Sequence, residues 1–266
     1  MDQNKKEKLA RFGIATKGVV YCLIGGLTAM AAFGQGGKKT GSSGTLEFVA
    51  SNSFGQILLG LIALGLVGFV YWRLYQAIAD PEGKGNDGKG IVRRIGYAAS
   101  GIFYIFLIVT AVQMLTGSGG GSGGSGGNGQ EQLVGKLLQN EFGQILVGIL
   151  AVIFLGKAIY QFYRAFSNKF KEKVQGSGMD ERARKSFMIS GKIGYISRGA
   201  VVAIISFLTF KAAFTANSSQ AGGTKDAFNL IQHEFGTIVL GVIAIGLVAY
   251  GIFMFVKARH RQMLLT

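Results

Sequence analysis

The residues of this sequence best able to do chemistry are basic side chains inside or beside long apolar segments. They are Lys17, Arg73, Lys157, Arg164 and Arg198, and each is a candidate contact for an anion or for a lipid headgroup. Long basic side chains near the ends of apolar helices usually extend toward the headgroups, and this ordinary role is the leading interpretation. The functional alternative is a basic vestibule that selects phosphate-bearing lipids or other anions.

Catalysis needs a group of residues that can attack, transfer protons or hold a metal, and this sequence offers no such group. The two histidines, His233 and His260, are expected on opposite sides of a membrane, and Cys22 is the single cysteine. No Asp or Glu lies inside an apolar segment, so the usual proton-coupling residues of pumps and transporters are missing. We therefore expect no enzymatic activity, no catalytic residue, no metal site and no cofactor.

The elements that must position the basic residues are six apolar segments, each about as long as a membrane-spanning helix. About 20 apolar residues cross the roughly 30 Å hydrocarbon core of a bilayer in helical form. The segments are approximately 18–34, 54–79, 97–116, 142–166, 195–216 and 235–257. The sequence thus predicts an all-α, polytopic membrane protein with six transmembrane helices.

The formal net charge of +15 could indicate binding to nucleic acid, but the positions of the charges argue against it. On one side of the spans, the loops hold only Lys38, Lys39, Lys136 and Lys225. The N-terminus, residues 84–94, residues 169–192 and the C-terminus hold the remaining loop charges, and basic loops stay cytoplasmic. We expect a bacterial cytoplasmic membrane protein with both termini in the cytoplasm. Its partners there would be anionic lipid headgroups and not nucleic acid.

A three-residue motif opens the second helix of each of three successive hairpins. It reads Phe54-Gly55-Gln56, then Phe142-Gly143-Gln144, then Phe235-Gly236-Thr237. We therefore divide the chain into repeats at 1–80, 81–168 and 169–266, each with two transmembrane helices. Because every copy crosses the membrane twice, the copies are parallel, which favours a pseudo-threefold axis along the membrane normal.

The order of these motifs resembles the bacterial membrane proteins grouped as domain of unknown function 1206. The shared features are a basic residue and Gly opening the first helix, Gly-rich spans, a Gly/Ser outer loop such as 117–129, and the Phe-Gly-Gln motif. The resemblance implies three tandem copies of that domain and no particular activity. The third copy departs from the pattern, with Thr237 for Gln and Val202 where the others have Tyr21 and Tyr104.

The repeat alignment makes departures from threefold equivalence informative. Lys17, Ser100 and Arg198 are equivalent, whereas Lys157 stands where the other copies have Phe69 and Tyr250. Lys157 is therefore the best single candidate for a pathway or lipid contact.

Glycines at helical spacing predict close helix packing. They are Gly60, Gly148 and Gly241, each three residues before an Ala, and Gly18 and Gly26 around Cys22. From such glycines we expect the first helix of each repeat to lie at the centre.

Short amphipathic segments precede the second helix of each repeat. We expect short outer helices there, because apolar residues recur at helical spacing: Leu46 and Val49, then Val134, Leu137 and Leu138, then Ala227, Leu230 and Ile231. The favoured interpretation is that they lie on the outer membrane surface. The alternatives are that their apolar sides cap the bundle or meet a protein partner.

Two functions of different classes fit these features. The leading hypothesis is a non-enzymatic accessory, scaffolding or lipid-interacting subunit, with membrane lipids and a membrane protein as partners. The alternative is a pore or transporter for an anion or small solute along the pseudo-threefold axis. A continuous polar path lined from all three repeats would distinguish the second hypothesis from the first.

Overall fold

The protein is a bundle of α-helices, and the prediction of an all-α fold is confirmed. The computed structural model describes residues 3–52, 54–81, 83, 85, 87–116, 128–167 and 180–260. Residues 117–127 of the predicted Gly/Ser linker and residues 169–179 of the basic loop fall outside these residues. The helices are α1 (Gln3–Ala32), α2 (Ser42–Ala50), α3 (Gly55–Ile78), α4 (Gly88–Leu115), α5 (Asn128–Leu138), α6 (Gly143–Ser167), α7 (Glu181–Thr215) and α8 (Thr224–His260).

Six of these helices, α1, α3, α4, α6, α7 and α8, are long and apolar enough to cross a membrane. The shortest, α3, has 24 residues and a mean hydropathy of 2.0 in its most apolar window. At about 1.5 Å per residue, such a helix exceeds the roughly 30 Å of a hydrocarbon core. The chain is thus a multi-pass membrane protein with six candidate spans, as the sequence predicts.

The six long helices contact one another in the order α4, α3, α1, α8, α7, α6. The second helix of each repeat packs on the first helix of another, in the pairs α3 with α4, α6 with α7, and α8 with α1. Within the described residues, the backbones of α1, α4 and α7 make no extensive contact with one another, although Arg198 on α7 lies over the ring of Tyr21 on α1. The expectation that the first helices lie at the centre therefore stays a prediction. The pseudo-threefold axis itself stays a prediction.

Glycine allows the helices of the first and third repeats to cross closely. A Cβ atom on Gly65 of α3 would lie 2.7 Å from Cβ of Thr16 on α1. A Cβ atom on Gly246 of α8 would likewise lie 2.7 Å from Cβ of Ser197 on α7. These four residues occupy equivalent positions in their repeats, so the same small-residue contact closes both hairpins.

The second hairpin is open, because α4 and α6 make no extensive contact over the described residues. The position equivalent to Gly65 and Gly246 is Ile153, whose side chain would prevent the close crossing and is 58% exposed. On α4, a Cβ atom added to Gly96 would meet nothing within 4 Å. Ile153 and Lys157, which replace Gly and an aromatic residue on this face, thus distinguish α6 from α3 and α8.

The predicted glycine seam is only partly correct. A Cβ atom on Gly60, Gly148 or Gly26 would meet nothing within 4 Å, so these glycines do not mediate close packing. Gly241 does face a neighbour, Phe33, and Gly18 faces the carbonyl oxygen of Gly251. The periodicity identified apolar helix faces correctly, but it did not show which face meets a neighbouring helix.

The outer helices are present, but their apolar sides pack into the protein. Leu46 and Val49 of α2, Val134 of α5, and Ala227 and Ile231 at the start of α8 are each no more than 3% exposed. The favoured expectation, helices lying on the membrane surface with these side chains in lipid, is therefore wrong. The structure agrees with the alternative in which the segments cap the bundle.

Candidate functional site

Four of the five predicted contact residues gather at one place inside the bundle. The positive charge of Lys17 on α1 is close enough to interact with Arg198 on α7, Arg73 on α3 and Lys157 on α6. We call these four residues the basic cluster. Since they come from four helices and all three repeats, no stretch of local sequence could have shown that they meet.

Lys17 is the most buried member of the basic cluster, with 7% of its surface exposed. Its Nζ atom lies 4.8 Å from the ring centre of Phe69 and 5.0 Å from that of Tyr104. A third ring, that of Tyr21 one helical turn later, is 5.9 Å away. Such cation–π contacts contribute about 0.5 to 2 kcal/mol each and hold the ammonium group in an aromatic cage.

Arg198 is held by tyrosines. Its Nη1 atom donates a hydrogen bond of 2.6 Å to the hydroxyl oxygen of Tyr250. Its Cζ atom lies 4.4 Å from the ring centre of Tyr250 and 4.9 Å from that of Tyr21. The rings of Tyr21 and Tyr250 contact each other edge to face at 4.8 Å, which fixes the guanidinium group between two helices.

The cluster also contains buried polar atoms that have no hydrogen-bond partner. Arg73 donates from Nη1 to Oε1 of Gln76 at 3.1 Å, but its Nε atom is buried and unpartnered. Gln161, 4% exposed, donates from Nε2 to the backbone oxygen of Arg198 at 3.5 Å, and its Oε1 atom is unpartnered. Buried polar atoms in native proteins are normally satisfied, so unpartnered atoms beside a charged cluster point to a ligand.

No carboxylate neutralises the basic cluster within the described part of the chain. Residues 8–32, 55–78, 90–115, 143–167 and 182–215 contain no Asp or Glu. Lys17, Arg73 and Arg198 instead contact aromatic rings, the hydroxyl group of Tyr250 and the side-chain amide of Gln76. Desolvating an unpaired charge costs several kcal/mol, and cation–π contacts return only part of that amount.

The basic cluster lies inside the membrane-spanning region, toward the end that carries Arg11 and Arg259, which we call the basic end. At that end Arg11 donates from Nη1 to the backbone oxygen of Arg259 at 3.1 Å. Lys17 follows Arg11 by six residues, which places it about 9 Å deeper along the helix. Lys17 thus does not extend to the membrane surface in the way that basic side chains near helix ends usually do.

The remaining predicted contact residue, Arg164, lies beside this group, because its charge interacts with Tyr250 and with Tyr97, over whose ring Arg73 lies at 5.1 Å. Its Cζ atom is 4.7 Å from the ring centre of Tyr195 and 5.8 Å from that of Tyr160, near the end of α6. Arg164 is thus an aromatic-packed residue closer to the basic end. It agrees with the ordinary role that the sequence assigned to basic residues near helix ends.

Tyrosine is what the sequence reasoning missed. The rings of Tyr21, Tyr104, Tyr250 and Phe69 surround the basic cluster. From the sequence they are recognised only as family markers or as equivalents of Lys157. One signal was available, since Tyr21 follows Lys17 by four residues and therefore shares its helix face. The contacts between helices had no such signal.

The Phe-Gly-Gln/Thr motif lies far from the basic cluster, where the outer helices turn into the spans. A Cβ atom on Gly55 would lie 2.8 Å from the carbonyl carbon of Val49, and one on Gly143 would lie 2.9 Å from that of Leu138. Gly236 breaks α8 with φ 83°, a conformation that favours glycine. The preceding residues, Phe54, Phe142 and Phe235, are 81%, 66% and 63% exposed. The motif therefore forms a tight turn with an outward-facing aromatic residue.

Comparison with known proteins agrees with this architecture. A family model described as Domain of Unknown Function (DUF1206) matches residues 12–80, 95–168 and 193–261. An uncharacterized protein of Bacillus subtilis (strain 168), YxxB, is 31% identical over 258 residues, which is 97% of this chain and 92% of that protein. No solved structure matches.

Proposed function

The chain belongs to the DUF1206 family, in three tandem copies, and on that premise we propose that it is a non-enzymatic, lipid-interacting membrane protein. The ligand is the phosphate of an anionic lipid, bound at the basic cluster of Lys17, Arg73, Lys157 and Arg198. The single observation that carries this proposal is the group of four cations at membrane depth with no carboxylate beside it.

A bound anion reduces the electrostatic repulsion among the four basic side chains. Like charges on four helices repel one another, and the repulsion is strong because protein and lipid screen charge far less than water does. A phosphate group placed among them exchanges repulsion for charge-assisted hydrogen bonds, of which arginine can donate two in parallel. Arg73 Nε offers a free donor for such a bond.

The apolar surroundings favour binding over conduction. On the side of the cluster away from the basic end, the buried residues are mostly apolar, among them Ile24, Leu66, Leu107, Ile205 and Leu247. An ion following the predicted axis would meet few polar groups there, such as the hydroxyl groups of Thr28 and Ser206. The pore hypothesis requires a continuous polar path, so the geometry supports a binding site near one membrane surface.

The positive-inside rule supports a cytoplasmic position for the basic end, in the cytoplasmic membrane of a bacterial cell. The lipid would then come from the inner leaflet, and membrane proteins that meet the same surface would be the protein partners of a scaffolding subunit. A C-terminal fusion tests the orientation. Fluorescence of a fused green fluorescent protein is expected, and activity of a fused periplasmic phosphatase instead would reverse the assignment.

The proposal is tested by the thermal stability of delipidated protein in mild detergent. Phosphatidylglycerol is expected to raise the midpoint, by about 2.7 kcal/mol of stabilisation at one hundred times its dissociation constant. Phosphatidylcholine, which has no net charge, is expected to have little effect. The Lys17→Met variant should lose most of the response, whereas Lys211→Met, which alters an exposed lysine near the other end of α7, should keep it.

Two results would contradict the proposal. Stabilisation by inorganic phosphate alone that equals stabilisation by the lipid would make this a site for a soluble anion. A response to phosphatidylglycerol that is equal in wild type, Lys17→Met and Lys211→Met would show that the lipid acts elsewhere on the surface.

A further inference from the structure

We infer that the open second hairpin is a lateral opening through which a phosphomonoester lipid reaches the basic cluster, with its acyl chain between α4 and α6. This inference rests on the proposed function and adds the route, the position of the chain and the class of headgroup. It is carried by three observations: the missing contact between two helices, an exposed stripe on α6, and the number of cations behind it.

The first observation is the small share of α4 and α6 that the protein covers. In the most apolar stretch of each helix, 24% of the residues of α4 and 22% of those of α6 are buried. The corresponding share in the other four spans is 44% to 50%. α4 and α6 are the first and the last helix in the row of contacting helices, and they do not pack against each other in the described structure. The bundle is thus open to lipid at one place along its circumference.

The second observation is the stripe that α6 presents at this opening. Ile149, Ile153, Lys157 and Tyr160 follow one another at helical spacing, and all four are exposed. In the closed hairpins, the residues equivalent to Ile153 and Lys157 face the first helix of the same repeat. The stripe therefore lies on the side of α6 that would face α4 in a closed hairpin.

Lys157 connects the opening to the site. It is exposed at the protein surface, and its charge nevertheless interacts with those of Arg198 and Lys17 inside the bundle. The apolar residues Ile149 and Ile153 precede it on the stripe, on the side away from the basic end. A lipid matches this order of a basic and then an apolar surface along α6. Its anionic group would lie at Lys157 and its acyl chain along Ile149 and Ile153.

The third observation concerns charge. A phosphomonoester carries about −1.5 to −2 near neutral pH, because its second pKa is about 6, whereas a phosphodiester carries −1. With four cations and no carboxylate, the doubly charged group neutralises more of the cluster. The unpartnered Oε1 atom of Gln161 adds an acceptor for a hydroxyl group of the ligand or of its singly protonated phosphate.

The experiment measures lipid binding by native mass spectrometry of the full chain in detergent at pH 8. The probes are phosphatidic acid, a phosphomonoester, and phosphatidylglycerol, a phosphodiester with similar acyl chains. Wild-type protein is expected to bind phosphatidic acid at least 10-fold more tightly. The Lys157→Met variant is expected to reduce this preference to less than 3-fold, and Lys211→Met to leave it unchanged.

The route is tested by filling the opening. The Ile153→Trp variant is expected to weaken phosphatidic acid binding at least 10-fold. Its control is Ile245→Trp on α8, since Ile245 is 55% exposed and precedes the repeat equivalent of Ile153 by one residue. Because both replaced side chains are exposed, both variants should fold, and a circular dichroism melt checks this directly.

The possible outcomes separate this inference from the proposed function. Equal binding of both lipids, lost in Lys17→Met, would overturn the phosphomonoester assignment and leave the proposed function intact. Unchanged binding in Ile153→Trp would overturn the route. A dimer that Ile153→Trp dissociates would instead make the opening an interface between two copies of the chain. Binding of neither lipid would overturn both proposals.

Discussion

Replacing glycine by alanine at one equivalent position of each repeat tests whether the second hairpin is open. The positions are Gly13, Gly96 and Gly194. A Cβ atom on Gly13 would lie 2.7 Å from Cα of Phe69, and one on Gly194 would lie 2.6 Å from Cα of Tyr250. On Gly96 it would meet nothing within 4 Å. The same chemical change is therefore expected to have opposite consequences in different repeats.

The magnitude follows from these distances. Carbon atoms pack best at about 3.5 to 4.0 Å, so the helices of the first and third hairpins must separate by about 1 Å. Overpacking of this kind typically costs about 1 to 3 kcal/mol, and the better helix propensity of alanine returns up to about 1 kcal/mol. We expect Gly13→Ala and Gly194→Ala to destabilise by about 1 to 2 kcal/mol. We expect Gly96→Ala to be neutral or to stabilise by less than about 1 kcal/mol.

The assay is thermal unfolding in detergent, followed by the fluorescence of Trp72, the single tryptophan. This residue lies on α3, is 2% exposed and thus reports loss of packing in the first hairpin. Circular dichroism at 222 nm provides a probe for the whole chain. For a chain of this size, the expected loss corresponds to about 2 to 8 °C in the midpoint.

One result would refute the reasoning directly. If Gly96→Ala lowers the midpoint as much as Gly13→Ala does, then the second hairpin is packed as closely as the first, and no opening exists between α4 and α6. If none of the three variants loses stability, the close crossings at Gly13 and Gly194 do not limit helix packing.

Two further predictions concern the basic cluster and the outer helices. Lys17→Met should stabilise the lipid-free protein by about 1 to 3 kcal/mol in chemical or thermal unfolding, because it removes a buried, unpaired charge at the loss of cation–π contacts. A destabilised Lys17→Met would mean that the cation is already compensated without ligand. Leu46→Ala, in the α2 cap, should destabilise by about 2 to 5 kcal/mol, since Leu46 is 1% exposed. Phe48→Ala in the same helix, where the ring is 38% exposed, is the control and should cost less than about 1 kcal/mol.

Features that depend on local sequence were predictable. The spans follow from apolar length, because a helix in lipid must satisfy its own backbone and only a long apolar segment can do so. The short outer helices followed from the spacing of residues such as Leu46 and Val49. The repeats followed from the Phe-Gly-Gln/Thr motif, whose glycine stands at each helix turn for one of two reasons: a close backbone approach at Gly55 and Gly143, and a positive φ at Gly236.

The direction in which a helix face points was not predictable, because lipid and protein interior are equally apolar. In a soluble protein, an apolar helix face indicates the side that packs into the interior. In a membrane protein, an apolar face contacts either lipid or another helix, so the pattern does not indicate which. Gly60 and Gly65 lie on the same helix, yet only Gly65 meets a neighbour. For the same reason the outer helices were expected in lipid, whereas Ala227 and its equivalents, Val134 and Leu46, pack into protein.

The sequence by itself determined the number of spans, the three copies and the unusual presence of Lys157 at a position held elsewhere by Phe69 and Tyr250. Tertiary structure decided that α4 and α6 do not pack on each other and that the charge of Lys157 lies close enough to interact with those of Lys17 and Arg198. The physical reason is that charges on separate helices interact only after the helices have packed. The packing in turn depends on which of many similar small residues meet, and a pattern along one chain does not contain that information.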